Sequence, residues 1–121
     1  MPDLHKYVGF AVVASFFVLF VWGIGAKLIK RGPGEWFWHW LTLVQVIIGV
    51  QTILGVILFA SGYRADTILH YAYGLFPIIV LVAAHVVARG MEREPWIPFA
   101  WAGFFCFGLT LRALMTGLGI G

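Results

Sequence analysis

The chain has 121 residues, which by length is one domain, but its composition is far from that of a water-soluble protein. Hydrophobic residues make up 62 % of it and charged residues 11 %, whereas globular proteins average about half and about a quarter. The formal net charge of +3 is too mild to indicate a nucleic-acid partner. These values exclude an ordinary soluble domain and indicate that the chain is built for a lipid bilayer.

Four apolar runs, at about 7–29, 36–60, 67–88 and 96–118, each reach the roughly 20 residues that a helix needs to cross a bilayer. The first run is too long for a cleavable signal peptide and lacks a basic segment before it and a small-residue cleavage pattern. The connections are short, so neighbouring helices should be antiparallel. The sequence predicts an all-α fold, a four-transmembrane-helix antiparallel bundle that forms a single domain over residues 1–121.

The basic residues are unevenly distributed between the two ends of these spans. Lys6 and Arg64 lie at one end, and five basic residues gather at the other: Lys27, Lys30, Arg31, Arg89 and Arg93. Lysine and arginine concentrate on the cytoplasmic side of membrane proteins. We therefore expect both termini and the loop 61–66 to lie outside, in an integral protein of a prokaryotic cytoplasmic membrane.

Local signals along the chain agree with four spans. The run 31–34, Arg-Gly-Pro-Gly, should end the first helix, and Asp66 is placed to cap the start of the third. Pro77 lies inside the third span, where it can kink the helix. Four glycines are expected to be sites of close packing between helices: Gly23, Gly25, Gly103 and Gly108.

The four histidines fall near the ends of the spans, His5 and His70 on the outer side and His39 and His85 on the inner side. The fifteen residues between His70 and His85 correspond to about 22 Å along a helix, so these two cannot share one metal. Two imidazoles at one depth on neighbouring helices can hold a haem iron from both sides. The sequence predicts one haem b between His5 and His70 and allows a second between His39 and His85.

Three further residues fit a haem on the outer side. Gly74 lies one turn beyond His70 on the same face, where the missing side chain would let a flat macrocycle approach the backbone. Arg112 lies inside the fourth span towards the outer side, and its guanidinium suits a haem propionate. Arg64 could bind the second propionate. Arg112 could instead reach lipid headgroups or pair with Asp66.

The histidines also have a purely structural interpretation. Interfacial histidines are common, which would account for His5, and the tryptophans within 36–40 form an aromatic belt that would account for His39. His70 lies deeper than these two. An ionisable group within a span is costly and is by default a functional hypothesis, so His70 is the stronger candidate for a ligand.

Three segments carry a resemblance to a known family: His5-Lys6 at the start of a span, Gln45 to Gly49 (Gln-Val-Ile-Ile-Gly) in the next, and Leu69-His70 with Gly74 in the third. They resemble part of one half of the haem A synthase family, over about two thirds of the chain. In that family the two corresponding histidines are axial haem ligands on the extracytoplasmic side, which implies these roles for His5 and His70. The family's glutamate three residues before the first histidine is replaced by Pro2, so the resemblance implies haem binding rather than haem oxidation.

Together these features predict a membrane-embedded b-type cytochrome, an electron-transfer subunit of a larger respiratory or photosynthetic complex. Its partners would be the lipid bilayer, a larger membrane complex or a second copy of the chain, and a redox protein or quinone. Two alternatives stay open. One is a non-catalytic accessory or assembly subunit, and the other is a reduced haem A synthase-like enzyme.

Overall fold

The computed structural model describes residues 2–64 and 68–118. These residues form four α-helices: α1 (Pro2–Leu28), α2 (Glu35–Ala60), α3 (Leu69–Arg89) and α4 (Ile97–Gly117). Each is long and apolar enough to cross a lipid bilayer. The expected all-α four-helix bundle is confirmed. α1 begins earlier than the apolar run suggested, so His5 lies within the helix, whereas Asp66, the expected cap of α3, lies outside the described residues.

The breaks between helices fall where the sequence placed them. Gly34, directly before α2, has φ 83°, a left-handed conformation that glycine adopts without steric cost.

Pro77 lies buried inside α3, and the Cys106 thiol of α4 donates to the Pro77 carbonyl oxygen over 3.5 Å. Lys27 of α1 lies 3.1 Å from Glu94 in the loop after α3, so the two inner connections meet at one end of the bundle.

The four helices do not pack with equal closeness. α4 packs tightly against α1 and α3, and α2 packs against α1, whereas α2 and α3 barely touch. The helices therefore follow the order α2, α1, α4, α3, and an open groove, called here the α2–α3 cleft, separates the two outermost helices. Side-chain contacts across this cleft include the rings of Phe59 and Tyr71, 5.5 Å apart, and a hydrogen bond between Gln45 and His85.

Three polar side chains of the bundle form internal hydrogen bonds, as a hydrocarbon environment favours. The Ser15 hydroxyl donates to the Val12 carbonyl over 2.8 Å, and the Thr110 hydroxyl donates to the Cys106 carbonyl. The Trp40 indole donates to the Ser15 carbonyl over 3.0 Å. This last bond joins α2 to α1 where the two helices pack.

The contact between α1 and α4 is made by glycines. A Cβ at Gly103 would lie 2.9 Å from the Phe20 backbone nitrogen, and a Cβ at Gly23 would lie 2.3 Å from the Ala100 Cβ. Small residues let membrane helices approach closely enough for their backbones to make van der Waals contact. The expectation of close packing is confirmed for these two glycines. It is wrong for Gly25 and Gly108, which have nothing within 4 Å of an added Cβ.

We predict that Gly103→Val destabilises the bundle, because the backbone of α1 leaves no room for the new side chain. The expected loss is about 1 to 3 kcal/mol, as for other overpacked interiors. The measurement is unfolding in mixed detergent micelles, followed by circular dichroism. Gly108→Val, the same change on the same helix in open space, is the control and should cost less than half as much; an equal effect of the two changes would contradict the prediction.

Candidate functional site

His5 of α1 and His70 of α3 meet at the end of the bundle that holds the start of α1 and the end of α4, called here the outer end. Their ring centroids lie 6.2 Å apart, and their ring planes make an angle of 76°. Both side chains are partly buried. The structure thus brings together the two histidines that the sequence paired by depth alone.

The spacing of the two rings suits a shared metal ion. An imidazole nitrogen binds a metal at about 2 Å, which places the ring centroid about 3 Å from the metal. Two rings on opposite sides of one iron therefore have centroids about 6 Å apart. The observed 6.2 Å matches this value, and the rings come from different helices, so a ligand between them would join α1 to α3.

A hydrogen bond sets the orientation of the His70 ring. Its Nδ1 lies 2.8 Å from the carbonyl oxygen of Ala113 in α4. Because a carbonyl oxygen only accepts, Nδ1 carries the proton and Nε2 keeps its lone pair. Histidines that bind metals commonly donate their other ring N–H to a carbonyl in this way. The tautomer of His70 is therefore the one that a metal ligand needs.

The surroundings of His5 contain unpaired polar atoms. The Gln51 amide nitrogen of α2 donates to the His5 carbonyl over 2.9 Å. The His5 Nδ1 and the Gln51 Oε1 are both buried and have no hydrogen-bond partner among the described residues. Native proteins rarely leave buried polar atoms unpaired, because each one costs free energy. The orphaned ring nitrogen of His5 is consistent with a site whose ligand would complete its bonding.

Each of the two imidazoles lies against a glycine of a neighbouring helix. A Cβ at Gly55 of α2 would lie 3.3 Å from the His5 Cε1, and a Cβ at Gly117 of α4 would lie 2.8 Å from the His70 Cε1. Sequence reasoning missed both glycines as site residues. Sequence reasoning did select Gly74. No atom lies within 4 Å of a Cβ added at this residue, and a flat ligand beside the helix would require such space.

The two arginines that were expected near the site differ in placement. Arg112 is partly buried, and its guanidinium carbon lies 5.7 Å from the centroid of the Tyr73 ring on α3. Arg64 folds back over the Phe59 ring, at 3.7 Å, and donates to the carbonyls of Phe59 and Tyr63. These carbonyls lie at and just after the end of α2, and that of Phe59 also accepts from the Gly62 backbone N–H over 3.1 Å. Asp66, the alternative partner of Arg112, lies outside the described residues.

The structure does not bring His39 and His85 together. His39 is exposed and its ring lies 5.4 Å from that of Trp36, whereas the His85 Nε2 lies 2.6 Å from the Gln45 side-chain oxygen. His39 and Gln45 are six residues apart on α2, which separates their side chains by about 120° around the helix. His85 therefore has a different partner from the one that the sequence suggested.

Among the described residues, His5 and His70 are the side chains at the outer end that could share a metal ion. Within residues 2–64 and 68–118, no three or more His, Cys, Asp or Glu side chains gather in a group that could hold a metal ion. Such groups make up most structural zinc sites. Two axial histidines suffice for a haem, because the macrocycle supplies the remaining ligands of its iron.

Comparison with protein-family models, with curated proteins and with solved structures finds no match for this chain. The resemblance to the haem A synthase family stays a prediction from the motif residues.

Proposed function

We propose that this chain is a membrane-embedded b-type cytochrome that holds one haem b between His5 and His70. It would carry electrons as a subunit of a larger respiratory or photosynthetic complex. The observation that carries the proposal is the pair of imidazoles from two helices at 6.2 Å, the spacing of two axial ligands on one iron. The resemblance to haem A synthases, which rests on the same two histidines, points to the same role.

The residues of the chain would bind and orient the cofactor, and the haem, when bound, supplies the one-electron redox chemistry. His5 and His70 would be the axial ligands. The Ala113 carbonyl holds the His70 ring in the ligating tautomer. Gly55 and Gly117 leave room for the two rings beside their neighbouring helices. Surrounding apolar helices would exclude water from the site.

The macrocycle would lie beside the α2–α3 cleft. Gly49 of α2 and Gly74 of α3 both have nothing within 4 Å of an added Cβ. Arg112 lies partly buried in the outer half of α4, where its guanidinium could bind a propionate after leaving the Tyr73 ring. Arg64 would have to break its hydrogen bond to the Phe59 carbonyl at the end of α2 before it could bind the second propionate.

One observation favours the alternative of an accessory subunit without a cofactor. His70 and His85 each have a hydrogen-bond partner within the chain, so both can act as links between helices. The visible spectrum of the purified protein separates the two functions, because a bis-histidine haem gives a low-spin spectrum and an accessory subunit is colourless. A reduced haem A synthase-like enzyme would instead reveal itself by a modified haem in its product.

We predict that His70→Ala abolishes the low-spin haem spectrum, because one imidazole cannot supply two strong axial bonds. His5→Ala should leave at most a weak high-spin remnant. The measurement is the reduced-minus-oxidised spectrum of protein purified in detergent. His39→Ala, on the exposed face of α2, is the control and should keep full haem content. An unchanged low-spin spectrum in His70→Ala would exclude this site.

We predict that Gly117→Ala at least halves the low-spin haem content while the protein stays folded. The new Cβ would lie 2.8 Å from the His70 ring and would push that ring off the axial position. The neighbour that moves is the end of a side chain, so the helices can keep their places. Gly108→Ala, in open space on the same helix, is the matched control. Equal haem content in the two variants would remove Gly117 from the site.

We further propose that both chain ends lie outside a prokaryotic cytoplasmic membrane, since five of the basic residues lie at the opposite end of the bundle. A reporter enzyme that works only outside the cytoplasm should be active when fused after Gly121 and inactive when inserted at Gly32. A cytoplasmic reporter should give the reverse. The opposite pattern of activities would invert the membrane sides but leave the pairing of His5 with His70 in place.

A further inference from the structure

A second site is formed at the inner end of the α2–α3 cleft. Here the two helices part around a cavity of about 330 Å³. Its floor is Phe99 of α4, whose ring lies 5.6 Å from that of Trp38 on α2 and 4.8 Å from that of His85 on α3. Three rings from three helices thus enclose an apolar slot that is open towards the lipid.

The walls of this slot also carry hydrogen-bonding groups at membrane depth. The Gln45 side-chain oxygen and the His85 Nε2 lie 2.6 Å apart, so His85 donates and Gln45 accepts. Within the described residues, the amide N–H groups of Gln45 and the second ring nitrogen of His85 have no partner. Arg89, one turn further along α3, adds a guanidinium to the same cavity. Polar groups on a lipid-facing surface are costly unless something binds them.

We propose that this cavity binds the head group of a lipid-soluble quinone. The donors that could reach the ring are the Gln45 amide N–H groups and Arg89, because the His85 Nε2–H already donates to Gln45. They stand at two depths, since Gln45 pairs with His85 and Arg89 lies four residues or about 6 Å further along α3, so they could bind the two carbonyl oxygens of one quinone ring. The aromatic floor suits a planar ring, and the open side of the cleft would let the isoprenoid tail pass into the bilayer.

The size of the cavity favours a quinone over the second haem that the sequence allowed. A volume of about 330 Å³ is near the lower limit for ligand pockets, which span roughly 300 to 1,000 Å³. The cavity accommodates a single quinone ring, whereas a porphyrin is several times larger than such a ring. A phospholipid phosphate would need Arg89 alone and would leave the deeper pair of Gln45 and His85 without a ligand.

This proposal goes beyond the cytochrome function and does not depend on it, since the outer site lies about 22 Å away along α3. The test uses the full chain in phosphatidylcholine nanodiscs, titrated with a decyl-substituted benzoquinone while the tryptophan fluorescence is recorded. We expect saturable quenching. His85→Leu and Gln45→Leu should each raise the half-saturating concentration at least about tenfold, because Gln45→Leu removes the amide donor to the ring and His85→Leu removes the hydrogen bond that holds this amide in place.

His39→Leu is the matched control, because it makes the same change at the same membrane end on an exposed face, and it should leave the titration unchanged. Ala88→Leu is a second variant that fills the cavity without removing a polar group, and it should weaken binding equally. Circular dichroism of each variant shows that the helices are intact. Quenching that does not saturate, or half-saturation that is alike in all variants, would overturn the proposal.

Two further measurements separate the remaining outcomes. Displacement of the quinone by a rising fraction of phosphatidylglycerol would identify a phospholipid headgroup site instead and would overturn the proposal. The haem spectrum of His85→Leu should stay low-spin, since the outer site does not contain this residue. Loss of quinone binding with an intact haem spectrum therefore supports both proposals, and a colourless protein that still binds quinone rejects only the cytochrome.

Discussion

The close approach of α1 and α4 through Gly23 and Gly103 is the contact on which the rest of the structure depends. Lipid offers no hydrophobic driving force between helices, so their association relies on van der Waals contact between closely packed backbones and on internal hydrogen bonds. The glycine contact joins the helix that carries His5 to the one that supports His70 through Ala113. α3 packs on α4 in turn. The two imidazoles therefore meet although their own helices, α1 and α3, do not pack against each other along their length.

The same order of helices leaves α2 and α3 apart. Contacts bridge them near both ends, between Phe59 and Tyr71 at the outer end and between Gln45 and His85 at the inner end. Between these bridges, Gly49 and Gly74 add no side-chain bulk. One geometric fact, the parting of two helices, thus underlies both the haem proposal and the quinone proposal.

The amino-acid sequence predicted the four spans because a bilayer demands long apolar runs, and these runs are visible without knowledge of contacts. It also paired His5 with His70, since depth follows from position along a helix. It could not assign Gly55 and Gly117 to the site, because this requires knowing which helices are neighbours. The predictions for Gly25, Gly108 and the partner of His85 were wrong for a related reason. The depth of a residue in the membrane does not specify the direction in which its side chain points around the helix.

The hydrogen bond between His70 and Ala113 has a consequence for biogenesis. It holds one imidazole in place within the protein alone, so little ordering would remain when a ligand arrives, which favours binding. Helix insertion and association can then precede cofactor loading. If the chain binds haem as proposed, the cofactor could diffuse within the plane of the bilayer and enter the finished bundle through the gap between α2 and α3.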